Sequence, residues 1–389
     1  MNSFCRTFHS VGQGAFYSEK HNGFNVVYDC GNWKNSKKAT SVVKSSFKFN
    51  DVIDILFISH FDYDHVSKIN VLANNFKIKN VVMPLLHDEE VNVLVNIYRT
   101  LGKNILNLLR APERYFGENT KVIRVAASNL NGEESLEARP VILVDDLING
   151  STIESGCILK ASFKFQEWCF IPYNHENTSR RIELETALLS SGLTGFDLMG
   201  IKGDPNYTIK RIVDDVGLAK SKGGRKFRDA YEKITGGINI NSMLVFSGLL
   251  CGPNAGRCND YTAVGMCKCF FDKYTASGLR RFEFCVSPRI ACVYTGDCDL
   301  NLVKPKQIYR DFWEWVGTIQ VPHHGANSNF CLDILDSSHY FFPISVGLKN
   351  TYSHPCKNVI DDILRNGSTP VCVTEDPSSE FKQYFKYWC

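Results

Sequence analysis

The sequence predicts a mixed α/β fold, and three groups of residues support this prediction. Short apolar runs with the length of buried strands lie near residues 4–11, 24–29, 53–59 and 79–83. A stretch with helical character follows from Glu89 to Leu109. Further strand-like runs lie near residues 156–165, 243–248 and 281–295. Apolar runs of this length are typical of strands and longer amphipathic stretches are typical of helices, so the chain alternates between the two.

Length and composition are those of a globular protein with a large core. The chain has 389 residues, of which 44% are hydrophobic and 22% are charged, and these proportions are ordinary for a folded domain. A chain of this length is often two domains, but α/β folds with insertions frequently exceed the average domain size. We therefore expect one elaborated domain over residues 1–389.

The strand predicted at residues 53–59 ends in a dense group of possible metal ligands. His60, Asp62, Asp64 and His65 follow its last apolar residues at positions i, i+2, i+4 and i+5. Imidazole and carboxylate groups bind zinc or manganese, and ligands spaced in this way on a tight turn can be divided between two adjacent ions. The alternative is a solvated acidic turn whose histidines only cap a following helix.

These residues and five other stretches carry a resemblance to a known family. The pattern His60-x-Asp62-x-Asp64-His65 resembles the His-x-His-x-Asp-His signature of the metallo-β-lactamase superfamily, with Asp62 where most members have a second histidine. This variant resembles the branch that contains the hydrolase domain of the ComEC DNA-uptake channel proteins. The other matching stretches are Val11–Phe16, Val26–Gly31, Val293–Asp297, Ile319–Gly325 and Ser353–Pro355.

The resemblance implies a four-layer αββα sandwich with its metals at one edge. The chain between Asp64 and Asp297 is longer than the core of that family needs, so segments of it are expected to be insertions. We place these insertions at about residues 110–155, 175–238 and 251–280. They are candidates for carrying specificity.

The order of the motifs implies a ligand set for two divalent ions, either zinc or manganese. His60 and Asp62 are assigned to the first ion, and Asp297 to both ions. The second ion is assigned the ligands Asp64, His65 and His323. Most members have a further histidine ligand before the bridging aspartate, but the segment from Ile238 to Val245 has none. His175 could supply that ligand, or it could be an ordinary loop histidine.

The expected chemistry is hydrolysis by a hydroxide held between the two ions. Asp64 is a candidate for orienting the hydroxide, and His324 and His354 are candidates for donating a proton to the leaving group or contacting a phosphate oxygen. Asp29 is expected to orient the ligand loop from behind. Substrate contacts are expected from Lys34, Lys37 and Lys38, which follow Asp29 on a loop that should border the metals.

The leading hypothesis is a metal-dependent phosphodiesterase, most simply a nuclease acting on DNA, since the resemblance is to ComEC-type hydrolase domains. Such a protein could serve in a prokaryotic defence or DNA-processing system, with nucleic acid as its substrate and a protein encoded in the same operon as a possible partner. Two alternatives stay open. One is hydrolysis of a small lactam, lactone or thioester, and the other is a catalytically inactive, metal-stabilised binding module. The sequence does not predict the oligomeric state.

The cysteines and the N-terminus predict a cytoplasmic protein without a membrane segment. An odd number of cysteines, fifteen in all, lies scattered through the chain, which is typical of reduced thiols. The first residues lack the pattern of a signal peptide, and no apolar run approaches the ~20 residues of a membrane helix. The net charge of +3 allows nucleic-acid binding without predicting it.

Each of two further clusters of residues could be either functional or an ordinary part of the fold. Four cysteines could hold a structural zinc or be simple reduced thiols: Cys251, Cys258, Cys267 and Cys269. The irregular spacing lacks a Cys-x-x-Cys pair. Five basic residues could bind phosphate or form a solvated helix face, and they are Lys220, Lys222, Arg225, Lys226 and Arg228.

Overall fold

Two large mixed sheets form the centre of the protein. The structure, a computed structural model, describes residues 2–34, 36–128, 139–163, 166–176, 178–190, 192–207, 241–250, 258–264 and 289–387. Within these ranges one sheet has nine strands and the other has eight. No helix among the described residues is long and apolar enough to cross a membrane.

The first sheet combines antiparallel strands on one side with parallel strands on the other. Its strands are β1 (Asn2–Phe8), β2 (Phe16–Lys20), β3 (Asn25–Cys30), β4 (Val52–Phe57), β5 (Lys77–Pro84), β6 (Lys121–Val125), β8 (Thr152–Ile153), β12 (Cys258–Val264) and β17 (Phe381–Tyr387). The order across the sheet is β12-β17-β1-β2-β3-β4-β5-β6-β8. Pairing is antiparallel from β12 to β3 and parallel from β3 to β8.

The second sheet has the same mixed character. Its strands are β7 (Val141–Leu143), β9 (Ile158–Phe163), β10 (Gln166–Glu176), β11 (Asn241–Leu249), β13 (Ala291–Tyr294), β14 (Val316–Ile319), β15 (Phe341–Ser345) and β16 (Thr369–Val373). The order is β16-β15-β14-β13-β11-β10-β9-β7. The strands from β13 to β16 are parallel, so the segments that follow β13, β14 and β15 all leave the sheet at one edge.

Helices cover the outer faces of both sheets. The helices are α1 (Lys37–Ser45), α2 (Tyr63–Val66), α3 (Ile69–Asn75), α4 (Asp88–Thr100), α5 (Leu106–Arg110), α6 (Pro112–Phe116), α7 (Thr178–Ser190), α8 (Gly195–Gly203), α9 (Pro305–Ile308) and α10 (Lys357–Arg365). The predicted helix from Glu89 to Leu109 is therefore two helices. Gly102, with a φ of 65°, lies in the break because glycine adopts this backbone conformation without strain.

Three buried apolar clusters separate four layers. Along β3, Val26 and Tyr28 face the cluster between the two sheets, whereas Val27 faces the cluster beneath α1, α3 and α4. Along β13, Tyr294 faces the central cluster and Val293 faces the one beneath α9 and α10. Neighbouring side chains of a strand point to opposite faces, so both faces of each sheet are buried. The predicted α/β fold and its αββα layering are confirmed.

The segments predicted as insertions are described only in part. Residues 110–155 contribute β6 and β8 to the first sheet and β7 to the second, and residues 175–207 contribute the end of β10 together with α7 and α8. The remainder of 175–238, the side chains of 251–280 and the basic cluster from Lys220 to Arg228 lie outside what is described. The same holds for the side chains of the four-cysteine cluster. The single-domain boundary and the insertions stay predictions.

A buried ion pair in the first sheet is hydrogen-bonded to the second sheet. Arg6 in β1 and Glu19 in β2 are essentially inaccessible to solvent, and Arg6 Nε donates to Glu19 Oε1 at 2.7 Å. Glu19 also accepts hydrogen bonds from Ser247 Oγ at 2.6 Å and from Tyr294 OH at 2.9 Å, both in the second sheet. Burial raises the pKa of Glu19, but the opposing effect of Arg6 and the hydrogen-bond donors is larger, and the pKa is lowered to about 2.

We expect Glu19→Gln to destabilise the fold by about 3–5 kcal/mol, because it leaves the buried Arg6 guanidinium without a counter-charge. The free energy of unfolding in urea measures this. Since the folded pKa of Glu19 is depressed, its contribution is present at neutral pH and is lost as pH falls towards about 2. The variant should therefore lose less stability than the wild type on acidification.

An exposed ion pair provides the control for this substitution. Glu89 pairs with Arg181 at 2.7 Å, with side chains 56% and 34% exposed. Because water and salt screen such a pair, Glu89→Gln should cost no more than about 1 kcal/mol. A similar, small loss for both variants would contradict the role assigned to Glu19.

Candidate metal centre

The loop after β4 carries four of the predicted ligands. β4 ends at Phe57, and the chain then enters α2, whose N-cap position is Asp62. The loop is tied to the second sheet by Met243 N, which donates to Ser59 O at 2.8 Å. All four predicted ligands on this loop are buried, namely His60, Asp62, Asp64 and His65. Burial of so many polar side chains requires partners that compensate for lost water.

The loop after β13 approaches this first loop closely. β13 ends at Tyr294, and Asp297 lies three residues further on. Gly296 has a φ of 54°, and a methyl group on it would lie 2.8 Å from Ser59 Cβ and 3.1 Å from Ser242 Oγ. Only glycine fits here, because any side chain would push the two loops apart. This contact brings Asp297 to the ligands after β4.

Three of the predicted ligands form a first compact group. His60 Nε2 lies 3.7 Å from Asp297 Oδ2, and His65 Nε2 lies 3.3 Å from Asp297 Oδ1. One ligand atom from each of the three residues lies within 4.8 Å of the other two. An ion placed among them would contact two imidazoles and one carboxylate, a donor set suited to zinc or manganese.

A second group adjoins the first and shares His65 with it. It consists of Asp64, His65 and His324, whose ligand atoms also lie within 4.8 Å of one another. His324 Nε2 lies 2.9 Å from Asp64 Oδ2, and its Nδ1 lies 2.7 Å from Ser345 O at the end of β15. The two groups lie side by side and overlap at His65. That the centre holds two neighbouring ions stays a prediction.

Asp29 and Ser59 orient the histidines of both groups. Asp29 is fully buried, and it accepts hydrogen bonds from Ser59 N at 2.7 Å, from Ser59 Oγ at 2.6 Å and from His65 Nδ1 at 2.9 Å. Because the Ser59 hydroxyl donates to Asp29, it is an acceptor for His60 Nδ1 at 2.8 Å. The Nδ1 atoms of His60 and His65 are thus held, and their Nε2 atoms are directed at Asp297. Histidine ligands of metals are commonly oriented in this way.

Two buried ring nitrogens without hydrogen-bond partners indicate that these residues fit a metal ion. His60 Nε2 and His65 Nε2 are buried and make no hydrogen bond among the described residues. A buried polar atom without a partner is costly, and a divalent cation bonded to both nitrogens would remove that cost. The donor set and the orphaned nitrogens therefore fit a bound divalent ion.

The electrostatics of the centre also favour a bound cation. Burial, together with Asp64 and Asp297, raises the pKa of Asp62 to about 7. Burial and the neighbouring His65 lower the pKa of His60 to about 3. Carboxylates crowded away from water repel each other, and neutral imidazole is the form that binds metals. A cation would offset this repulsion and bind the neutral ring of His60.

The remaining predicted residues lie around the two groups. Asp62 is outside both groups, and its Oδ1 accepts a hydrogen bond from Tyr98 OH at 3.1 Å. His323 is also outside them. Its backbone N donates to Asp297 Oδ1 at 3.2 Å, and its Nδ1 lies 3.3 Å from Asn329 Oδ1. The geometry thus places His324, rather than His323, among the atoms that could share the second ion.

His354 and His175 occupy different positions. The ring of His354 lies 5.5 Å from that of His323, and burial together with His323 and His324 lowers its pKa to about 4. His175 lies next to the last residue of β10, opposite Ser242 in β11, and belongs to neither group. Its role as the missing ligand stays a prediction.

The three lysines predicted to contact substrate are exposed near the Asp64 loop. Lys34 precedes α1, while Lys37 and Lys38 begin it. Asn32 holds the intervening loop, because its backbone N donates to Ser67 Oγ at 2.9 Å and its Oδ1 accepts from Ser36 N at 3.0 Å. That these lysines border the site and contact substrate stays a prediction.

Two residues that contact the predicted ligands were not predicted from the sequence. Ser59 directly precedes His60, so its position beside the motif was the available signal. Tyr98 lies in the middle of α4, far from the motif along the chain. A tyrosine in an amphipathic helix predicts only a core residue.

Comparisons with known proteins agree with this geometry. A family model described as "Metallo-beta-lactamase superfamily" matches residues 14–144, which include the ligand loop after β4. The match agrees with the superfamily expected from the motifs over these residues, which are about a third of the chain. The ComEC-type branch is not confirmed. None of the curated proteins compared with the chain matches it.

Two solved structures are similar at low identity. One is the metallo-beta-lactamase fold protein YhfI from Bacillus subtilis, with 10% identity and a TM-score of 0.21, covering 46% of this chain and 55% of that protein. The chain thus spans about half the length of that protein. The other is unliganded yeast PDE1, with 10% identity and a TM-score of 0.29, covering 97% of this chain and 91% of that one. Neither likeness is close enough to assign a function.

We expect metal binding to release protons. Although burial lowers the pKa of His65, Asp297 and Asp29 raise it well above its ordinary value, so the ring is protonated at neutral pH in the metal-free protein. A metal binds the neutral ring, so the proton must leave and the affinity should fall as pH falls. Calorimetric titration with Zn²⁺ in buffers of different ionisation enthalpy measures the protons released.

A distant histidine gives the control for this titration. His339 precedes β15 and bonds Thr369 Oγ1 at 2.9 Å, at the opposite end of β15 from Ser345. His339→Gln should leave proton release unchanged. A binding enthalpy of the wild type that does not vary with the buffer would contradict protonation of His65.

Proposed function

We propose that this chain, whose residues 14–144 match the metallo-β-lactamase superfamily, is a metal-dependent phosphodiesterase and acts as a nuclease on DNA. The observation that carries the proposal is the pair of adjacent ligand groups that meet at His65. Divalent ions held by these groups would stabilise the charge that develops on the oxygens of a phosphodiester during its hydrolysis. The resemblance of the Asp62 motif to the ComEC-type branch supports nucleic acid as the substrate.

Some residues would bind the ions, and the strands that precede them fix their positions. His60, His65 and Asp297 would hold one ion, and Asp64 and His324 would contact the other. His65 can serve only one ion, because its Nδ1 is bonded to Asp29 and its Nε2 has a single lone pair. Ions in these positions polarise a phosphoryl oxygen and lower the pKa of water. The chain itself supplies rigid positioning, because each ligand follows the end of a buried strand.

His354 is the proposed contact for a phosphate oxygen. It belongs to neither ligand group, and its Nδ1 is buried without a hydrogen-bond partner among the described residues. A pKa of about 4 makes the ring neutral at neutral pH. A neutral imidazole can donate one N–H to the substrate, so we assign His354 to binding the phosphate rather than to protonating the leaving group.

Asp64→Ala should abolish metal-dependent cleavage and leave the fold intact. The substitution removes the carboxylate of the second group, and activity should fall by at least about 100-fold, the upper range for losing an interaction at a metal site. Cleavage of labelled DNA with Mn²⁺ or Zn²⁺, with matched EDTA controls, measures the loss. Asp88→Ala is the control, because Asp88 is exposed at the start of α4.

The choice of substrates decides between the proposal and its alternatives. Plasmid DNA, single-stranded DNA, RNA and cyclic nucleotides are tested beside nitrocefin and acyl-lactones. Cleavage of the lactam or lactone alone would replace the nuclease by a small-molecule hydrolase. A metal content below one per chain, with no hydrolysis, would favour the binding module. Undiminished DNA cleavage by Asp64→Ala would refute the site.

Replacing Lys34, Lys37 and Lys38 together by Ala should weaken DNA binding without changing the chemistry. KM should rise while kcat and metal content stay unchanged. Each lost phosphate contact reduces the slope of log K against log salt by about 0.9 for duplex DNA, so the slope should fall by up to about three. Kinetics at several salt concentrations measure this.

A charge-matched variant controls for the lost positive charge. Lys48 precedes β4, Lys77 begins β5 and Lys121 begins β6, away from the carboxyl ends of these strands, where the ligands lie. Replacing these three by Ala should leave KM and its salt dependence as in the wild type. Equal effects of both triple variants would show that net charge, and not the rim lysines, governs binding.

A further inference from the structure

A tyrosine from a distant helix holds the carboxylate that departs from the expected motif. Tyr98 in α4 is 0% exposed, and its OH donates to Asp62 Oδ1 at 3.1 Å. Asp62 is itself only 5% exposed. The two residues meet across the buried side of α4, beside the ligand loop. Position 62 is where the superfamily signature has a histidine.

The tyrosine is a rigid donor because α4 is fixed along its length. Val95 and Ile97, on either side of Asn96, are buried in the cluster beneath the first sheet. Asn96 Nδ2 donates to Ile201 O at 3.1 Å and to Asp204 O at 2.8 Å, which ties α4 to the end of α8. The hydroxyl of Tyr98 therefore has a fixed place relative to the ligand loop.

A carboxylate needs a different orienting partner from a histidine. A ligand histidine donates its second N–H to an acceptor, as His60 and His65 do to Ser59 and Asp29. An ionised carboxylate has no proton and can only accept, so a donor must hold it. With Oδ1 held by the phenol, the carboxylate plane of Asp62 is fixed and its second oxygen takes a defined direction.

We propose that Tyr98 is a positioning residue that orients Asp62 as a ligand of the ion held by His60. The proposal rests on the two-ion centre proposed above, but not on the identity of the substrate. If Tyr98 had only a structural role, its hydroxyl would donate to Asp62 without any effect on metal binding. The affinity of the Tyr98→Phe variant for metal therefore distinguishes the positioning role from the structural one.

The test is metal affinity of the Tyr98→Phe variant, measured without substrate. Metal-free protein is titrated with Zn²⁺ and, separately, with Mn²⁺ in competition with a chromophoric chelator. The affinity for one of the two ions should fall by about 10–100-fold, as is typical when an orienting partner of a ligand is lost. The affinity for the other ion should stay within about two-fold of the wild type.

Tyr309→Phe is the matched control. Tyr309 is also 0% exposed, and its OH donates to Ile171 O at 3.2 Å, away from the ligand groups. The Tyr309→Phe variant, like Tyr98→Phe, loses a buried phenol hydroxyl that donates one hydrogen bond. Melting of the metal-free variants shows whether each is folded. In the Asp62→Ala background, adding Tyr98→Phe should cause no further loss, because Tyr98 then has no ligand to orient.

The outcomes separate this proposal from the proposed function. Equal affinities of Tyr98→Phe and wild type, equal losses in Tyr98→Phe and Tyr309→Phe, or a further loss in the Asp62→Ala background would overturn the role of Tyr98. Selective loss of one ion in a protein that cleaves no DNA would support Tyr98 and overturn the nuclease. A wild type that binds neither metal would overturn both.

Discussion

The site depends on one buried carboxylate, that of Asp29, which lies at the end of β3 and accepts three hydrogen bonds from Ser59 and His65. Asp29 is fully buried, and its φ of 51° lies in the left-handed region, which aspartate adopts more readily than most residues. A buried carboxylate persists only where the surrounding contacts hold it. Here those contacts are the ligand loop itself, so the fold and the site stabilise each other.

Close backbone contacts set the distances between the ligands. Gly296 brings the Asp297 loop against Ser59, and a methyl group on Gly31 would lie 2.2 Å from Asp64 O. Both contacts join segments that follow strand ends, and neither leaves room for a side chain. The ligands therefore come together because the loops after β3, β4 and β13 pack closely, with glycine at each point of contact.

The sequence predicted what depends on local pattern. Apolar runs predicted β3, β4 and β5, and the density of ligands after β4 predicted a metal centre there, because rigid strand ends and ligand-type residues are both visible along the chain. Long-range geometry was not visible. The choice between His323 and His324 depends on two successive residues with positive φ, and the Tyr98 contact depends on how α4 packs. The spacing of residues in the sequence predicts neither feature.

Charge explains why such a set of residues stays together. Asp62, Asp64 and Asp297 are buried within one small region, and burial together with the other two carboxylates raises the pKa of Asp62 to about 7. Although burial lowers the pKa of both His65 and His324, Asp297 and Asp29 raise that of His65 and Asp64 raises that of His324, so the carboxylates favour the charged form of both rings. Divalent ions would replace those protons with a larger charge, so the carboxylates that repel one another in the metal-free protein would together bind a cation.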